Sequence, residues 1–147
     1  MHSRKKGKSR SNKVQRSKIP EWVNYTSDEV EEFIEKLAKG GASPSKIGMV
    51  LSDQYGIPDV RVITNKKLTQ ILSEKKLSYK IPEDLRNLIQ RATTLRHHLK
   101  AHVKDKHSGH GLKLIESKIH RLSKYYKSTG RLPESWRYDP EKARLEL

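Results

Sequence analysis

Leu99-Lys100-Ala101-His102-Val103-Lys104-Asp105-Lys106-His107-Ser108-Gly109-His110-Gly111-Leu112 is a polar, glycine-bearing interruption between two long amphipathic segments. Upstream, Pro82-Glu83-Asp84 opens a helix in which Leu85, Leu88, Ile89, Ala92, Leu95 and Leu99 recur at three- and four-residue steps. No Gly or Pro interrupts that segment before Gly109. Downstream, Leu112, Ile115, Ile119, Leu122 and Tyr126 repeat at heptad-like spacing, which predicts a second helix from about Gly111 to Ser128. Neither helix can bury its apolar stripe alone, so the two are expected to pack as an antiparallel hairpin. Gly130, Pro133 and Pro140 mark the end of that unit, and residues 141–147 are expected to add one short terminal helix.

The first half is organised differently. Folded structure should begin near Ile19-Pro20-Glu21-Trp22. Ser27 reads as an N-cap followed by Asp28 and Glu29, and Val30, Phe33, Ile34 and Leu37 fall at helical spacing before Gly40-Gly41. A second helix should start at Ser43 with Pro44 at its first position and present Ile47, Val50 and Leu51. Ile57 to Val62 reads as an extended connection, after which Thr64 or Asn65 would cap a third helix carrying Leu68, Ile71 and Leu72. The expected fold is therefore all-α. It comprises a basic disordered arm over 1–18, a small three-helix domain over 19–76, and the hairpin unit over 77–147.

Composition narrows the chemistry. The chain of 147 residues has 32 Lys plus Arg against 17 Asp plus Glu, a formal net charge of +15 that calls for a polyanionic partner. Arg4, Lys5, Lys6, Lys8, Arg10, Lys13, Arg16 and Lys18 crowd an arm without one acidic residue. Such a segment offsets its ordering entropy only by lying along phosphates and releasing their counterions. The longest apolar run, Ile47 to Leu51, is too short to span a bilayer, and no apolar segment follows the basic start. A cytoplasmic protein is expected. Cys is absent, which excludes disulfides, thiol nucleophiles and cysteine-ligated zinc. With 33% hydrophobic residues, one Phe and two Trp, a deep substrate pocket is not expected either.

Asp105 has only acceptors, which makes it a poor phosphate ligand and a good one for the guanine amino group, the distinctive donor of a minor groove. In RNA that groove is wide and shallow enough for a loop between two helices to reach. Ser108 can exchange hydrogen bonds with a ribose hydroxyl or base edge, while Lys104, Lys106 and His107 can hold the flanking phosphates. The plainer alternative is that Asp105 and Ser108 cap the next helix. His98 and His102 stand four apart on one helix, a spacing that suits two zinc ligands, but no third ligand is evident. No metal or other cofactor is expected. Further along, Lys113, Lys118, His120, Arg121, Lys124 and Lys127 make the polar surface basic, and Tyr125 among them suits stacking at an RNA junction. Tyr126, Trp22 and Trp136 read as packing anchors.

These residues resemble a known family. Leu99 to Tyr126, with His102, Asp105-Lys106-His107-Ser108, Gly111-Leu112 and Arg121-Leu122-Ser123-Lys124-Tyr125-Tyr126, resembles the universal small-subunit ribosomal protein fifteen family. Pro20-Glu21-Trp22, Thr26-Ser27-Asp28-Glu29-Val30 and Pro44-Ser45-Lys46-Ile47-Gly48 look like the extra amino-terminal domain of its archaeal and eukaryotic members, the latter called small-subunit protein thirteen. The resemblance implies a non-catalytic primary binder of central-domain rRNA at a three-helix junction and an adjacent minor groove. It also implies assembly among neighbouring ribosomal proteins and a part in a bridge to the large subunit. By position, His98, Asp105 and Ser108 match the family's minor-groove readers, with His102 on the same side, and Tyr125 matches its junction-contacting Tyr. One departure stands out. Bacterial members carry a Thr-Gly-Ser turn before the first long helix, where this chain reads Leu77-Ser78-Tyr79-Lys80-Ile81-Pro82. Ser78, Tyr79 or Lys80 would have to make different contacts there.

Two other readings compete. Ser43–Tyr55 and Asn65–Ser73 could form the helix-turn-helix of a DNA-binding or chromatin-like protein, although the connection exceeds the usual three or four residues. An RNA-processing enzyme using His and Asp105 lacks the neighbouring carboxylates that hold metals for phosphodiester cleavage.

Overall fold

The computed structural model describes residues 19–140; the arm expected over residues 1–18 and the terminal helix expected over 141–147 lie outside them. Among the described residues every regular element is a helix: α1 (Ser27–Lys39), α2 (Pro44–Gln54), α3 (Val60–Thr64), α4 (Leu68–Glu74), α5 (Glu83–Ala101) and α6 (Lys106–Ser128). The chain divides into two compact units between Ser78 and Tyr79.

The first unit holds four helices, not the three expected. Val60 to Val62, expected to be extended, and Thr64, expected with Asn65 as a cap for the next helix, belong to the helix α3: the Asp59 carboxylate accepts from the Arg61 amide, Asn65 ends the helix in the left-handed region at φ 54°, and α4 starts after Lys67. The apolar β-branched run Val60, Val62 and Ile63 resembles a strand, but burial of Val60 and the cap at Asp59 decide for helix. α1 also begins one residue earlier than expected. Thr26, not Ser27, is its N-cap, in a reciprocal capping box with Glu29. The core gathers Val30 and Ile34 of α1, Ile47 and Leu51 of α2, Ile57, and Ile71 and Leu72 of α4. Phe33 stacks on Tyr55 with ring centroids 4.5 Å apart, and Tyr25 meets Phe33 edge-on. Trp22 differs from its expected role as a packing anchor: it is 63% exposed, and its indole N–H donates to the carbonyl of Gly56. Gly56 turns the chain at φ +66°, and a Cβ there would stand 3.7 Å from the Trp22 ring. With α3 filling the connection between α2 and α4, the short turn of a helix-turn-helix is not formed.

In the second unit α5 and α6 run antiparallel, joined by His102 to Asp105. Leu85, Ile89 and Ala92 bury against Ile119 and Tyr126, and Leu132 and Trp136 close the open end. The Tyr126 hydroxyl donates to Asp84 in the first turn of α5. Midway, Arg96 pairs with Glu116 and lies over the ring of Tyr138. α6 starts five residues earlier than expected, at Lys106, so Gly109 and Gly111 are helical rather than parts of a loop. Asp105 supplies the cap that starts α6 there, outweighing the low helix propensity of two glycines. Gly111 faces Leu95 of α5, where a Cβ would make an ordinary contact at 3.8 Å.

Candidate nucleic-acid interface

The four-residue connection draws the predicted loop residues into one cluster. Asp105 Oδ1 accepts from the Ser108 amide at 2.9 Å, and Oδ2 lies 3.0 Å from Nε2 of His98. A carboxylate only accepts, so that ring nitrogen carries the hydrogen. The Ser108 hydroxyl and amide, followed by His98, hold the Asp105 carboxyl well below the usual carboxylate range. Asp105 is therefore an anion over the whole physiological range. The ring of His102 lies against that of His98, centroids 4.5 Å apart. Of the two roles weighed for Asp105, the structure shows the cap on α6, and the same side chain also fixes the imidazole of His98.

His98, His102, Lys104 and Asp105, with Ala101 and Val103, line one open depression at this end of the unit. Lys106 and His107 stand exposed in the first turn of α6. Among the described residues no three His, Cys, Asp or Glu side chains come together to hold a metal ion.

A second group forms near the far end of α6. Lys118, Arg121 and Tyr125 border a small apolar dent floored by Leu88 and Leu122. Tyr125 is 58% exposed, whereas Tyr126 beside it is buried. Lys113 and Lys124 are exposed on the same helix but border neither depression. Tyr79 packs under the guanidinium of Arg86, 4.6 Å from the ring centre, and Lys80 is exposed. The basic arm, from Arg4 to Lys18, lies outside the described residues.

Charge is unevenly shared. In residues 79–140 Lys and Arg outnumber Asp and Glu by more than two to one, whereas in residues 19–78 they nearly balance. Several acids of the second unit are also engaged internally: Asp84 by Tyr126, Asp105 by Ser108 and His98, and Glu116 by Arg96. What the unit presents to solvent is therefore largely cationic. No described helix is long and apolar enough to cross a membrane.

Comparison with known proteins gives the family. Residues 1–57 match the ribosomal S13/S15 N-terminal domain, and residues 67–146 match ribosomal protein S15. The chain belongs to the ribosomal protein S15 family. It is 54% identical over 142 residues to small ribosomal subunit protein uS15 of Sulfolobus acidocaldarius, an alignment covering 97% of this chain and 93% of the relative. The amino-terminal match identifies the S15 type that carries an additional domain before the hairpin, as the four-helix unit does here.

Sequence reasoning missed one group of residues. Asn87, Gln90, Arg91 and Thr94, on the exposed face of α5, line an open groove shared with His98 and Ser108. Their spacing at three- and four-residue steps, in register with His98, was the available signal.

Proposed function

We propose that this chain is a non-enzymatic structural constituent of the small ribosomal subunit. It binds small-subunit rRNA through the second unit, with the loop cluster reading a guanine-bearing minor groove and Tyr125 meeting a three-helix junction. Family membership supports the ribosomal role and with it a place in the cytoplasm; contact with neighbouring ribosomal proteins and a bridge to the large subunit are part of the proposal.

The observation that carries the RNA reading is the fixed triad His98–Asp105–Ser108 in a cationic surround. An anionic acceptor is costly near phosphates unless it meets a donor that only the right base supplies. Asp105 keeps its charge there because Ser108 and His98 stabilise it internally. Lys104, Lys106 and His107 add the phosphate attraction, which fixes position without reading sequence. The two sites also suit two differently directed RNA elements. Seventeen residues separate Ser108 from Tyr125, about 25 Å along α6 and about a quarter-turn around it.

The test is a binding titration at several salt concentrations. It compares an rRNA fragment carrying the junction and its guanine-bearing helix with a scrambled RNA of equal length. Wild-type protein should prefer the junction, and Asp105→Asn should lose that preference while keeping the salt dependence. Equal, steeply salt-dependent binding to both RNAs would reduce the protein to a generic polycation and end the proposal.

A further inference from the structure

We infer that the exposed aromatic surface around Trp22, in the first unit, docks an arginine-rich segment of another protein. The inference takes from the proposed function only that this chain works among basic ribosomal proteins. Trp22 is 63% exposed, Ile19 49% and Tyr25 37%. Contacts gather the rings into one surface. The Trp22 indole N–H donates to the Gly56 carbonyl, and Tyr55, next in sequence, packs with Tyr25 at a centroid distance of 6.3 Å. Tyr25 in turn meets Phe33 edge-on at 5.4 Å. With its N–H held by the backbone, the indole offers its ring to a partner. An exposed apolar surface with a polar rim is the usual mark of a protein contact.

Charge selects the occupant. In a chain of net charge +15, residues 19–35 and 47–60, which build this surface, contain not one Lys or Arg and eight Asp and Glu. Glu31 is paired with Lys66, and Glu35 with Lys39 and Lys75. Glu21, Asp28, Glu29 and Asp53 stand exposed. Glu21 adjoins Trp22, Asp28 and Glu29 open α1 just after Tyr25, and Asp53 lies two residues before Tyr55. Phosphate is repelled by such a rim, and protein platforms that stack bases combine their rings with a positive groove. A guanidinium is matched on both counts: it stacks on an indole face and forks onto a carboxylate. The ammonium of lysine has the charge without the plane. Residues 1–18 of this chain carry similar charge, but they are expected on rRNA phosphates, which leaves the surface to a segment of a second protein.

The probe is a short synthetic peptide of alternating Arg and Gly, titrated into the isotope-labelled full chain while its two indole N–H signals are followed by NMR. The Trp22 signal should shift and saturate, and that of Trp136 should stay in place. Trp22→Leu should weaken the peptide about fivefold, the value of one exposed cation–π contact, while Trp22→Tyr keeps most of the affinity. Glu21→Gln with Asp53→Asn should flatten the salt dependence, and a Lys-Gly peptide should bind more weakly than Arg-Gly. A Trp22 signal that stays in place, or that single-stranded RNA shifts as readily as the peptide, overturns the inference. So does peptide binding that appears only once the Lys and Arg of residues 4–18 are replaced by Gln, because the chain's own arm is then the occupant. If wild type shows no preference for the junction RNA, the rRNA reading fails, and the Trp22 signal still decides this inference.

Discussion

The hydroxyl of Tyr126 donates a 2.5 Å hydrogen bond to Asp84 Oδ2, fastening the last turns of α6 to the first turn of α5. Burial, and then the Asp84 carboxylate, push the Tyr126 hydroxyl up to about 12. The bond closes the hairpin at the end opposite the Asp105 loop, so its loss should be felt first as stability.

Tyr126→Phe should lower the stability of the second unit by about 1 kcal/mol, a typical net value for one hydrogen bond. Because the folded value is raised above that of a free tyrosine, the wild-type advantage is complete below pH 10 and fades as pH rises toward 12. Thermal melts of both proteins across that range check this. An advantage that persists at pH 12 would contradict it.

Asp105 separates capping from recognition. Asn caps a helix about as well as Asp, so Asp105→Asn should keep α6 intact while losing guanine discrimination. Asp105→Ala should lose both and melt several degrees lower. In acid the direction follows from the depressed carboxyl. Its stabilising contribution is complete above the ordinary carboxylate range and is lost progressively as pH falls through that range toward its lower folded value. Circular dichroism melts beside RNA titrations read the two effects independently.

Much of this architecture is legible in the sequence, and the failures have physical causes. The three- and four-residue recurrence of Leu85, Leu88, Ile89 and Ala92 reveals α5 because a long buried stripe admits only one period. α3 escapes detection because five residues are too few to show a period, and Val and Ile favour strand in isolation. The start of α6 is misplaced because Gly109 and Gly111 carry a local signal for loop, while the cap that overrides it lies four residues upstream of Gly109. The cap at Asp105 is readable from residue type, but not its simultaneous hold on His98. That depends on where His98 lands after a full turn of chain. Thr26 was identifiable from its Thr-x-x-Glu pattern, which competed with an adjacent Ser.

Gly109 offers a stabilising change. It lies within α6, and a Cβ there meets nothing within 4 Å. Gly109→Ala should raise stability by about 0.5–1 kcal/mol, by lowering the entropy of the unfolded chain. A melting temperature unchanged or lowered in the free protein would show that the start of α6 is held by something other than helix propensity.

Ile47 probes the first unit. It is fully buried among α1, α2 and α4, and Ile47→Ala should cost about 2–5 kcal/mol. A unit of this size has little stability in reserve, so the variant should unfold over residues 27–74 while α5 and α6 stay folded on their own core. Hydrogen exchange resolved by residue reads this directly. Equal loss of protection in α5 and α6 would mean that the two cores are not energetically separate.

The four-residue connection between α5 and α6 has a kinetic consequence. With Asp105, Ser108 and His98 already locked together, no rearrangement has to follow encounter with RNA. Correct and incorrect RNAs are then expected to be captured at similar speed and told apart by how long they are kept. On the proposed reading, such a protein would sample many helices briefly and stay only where the groove fits, so that selection is made by residence time.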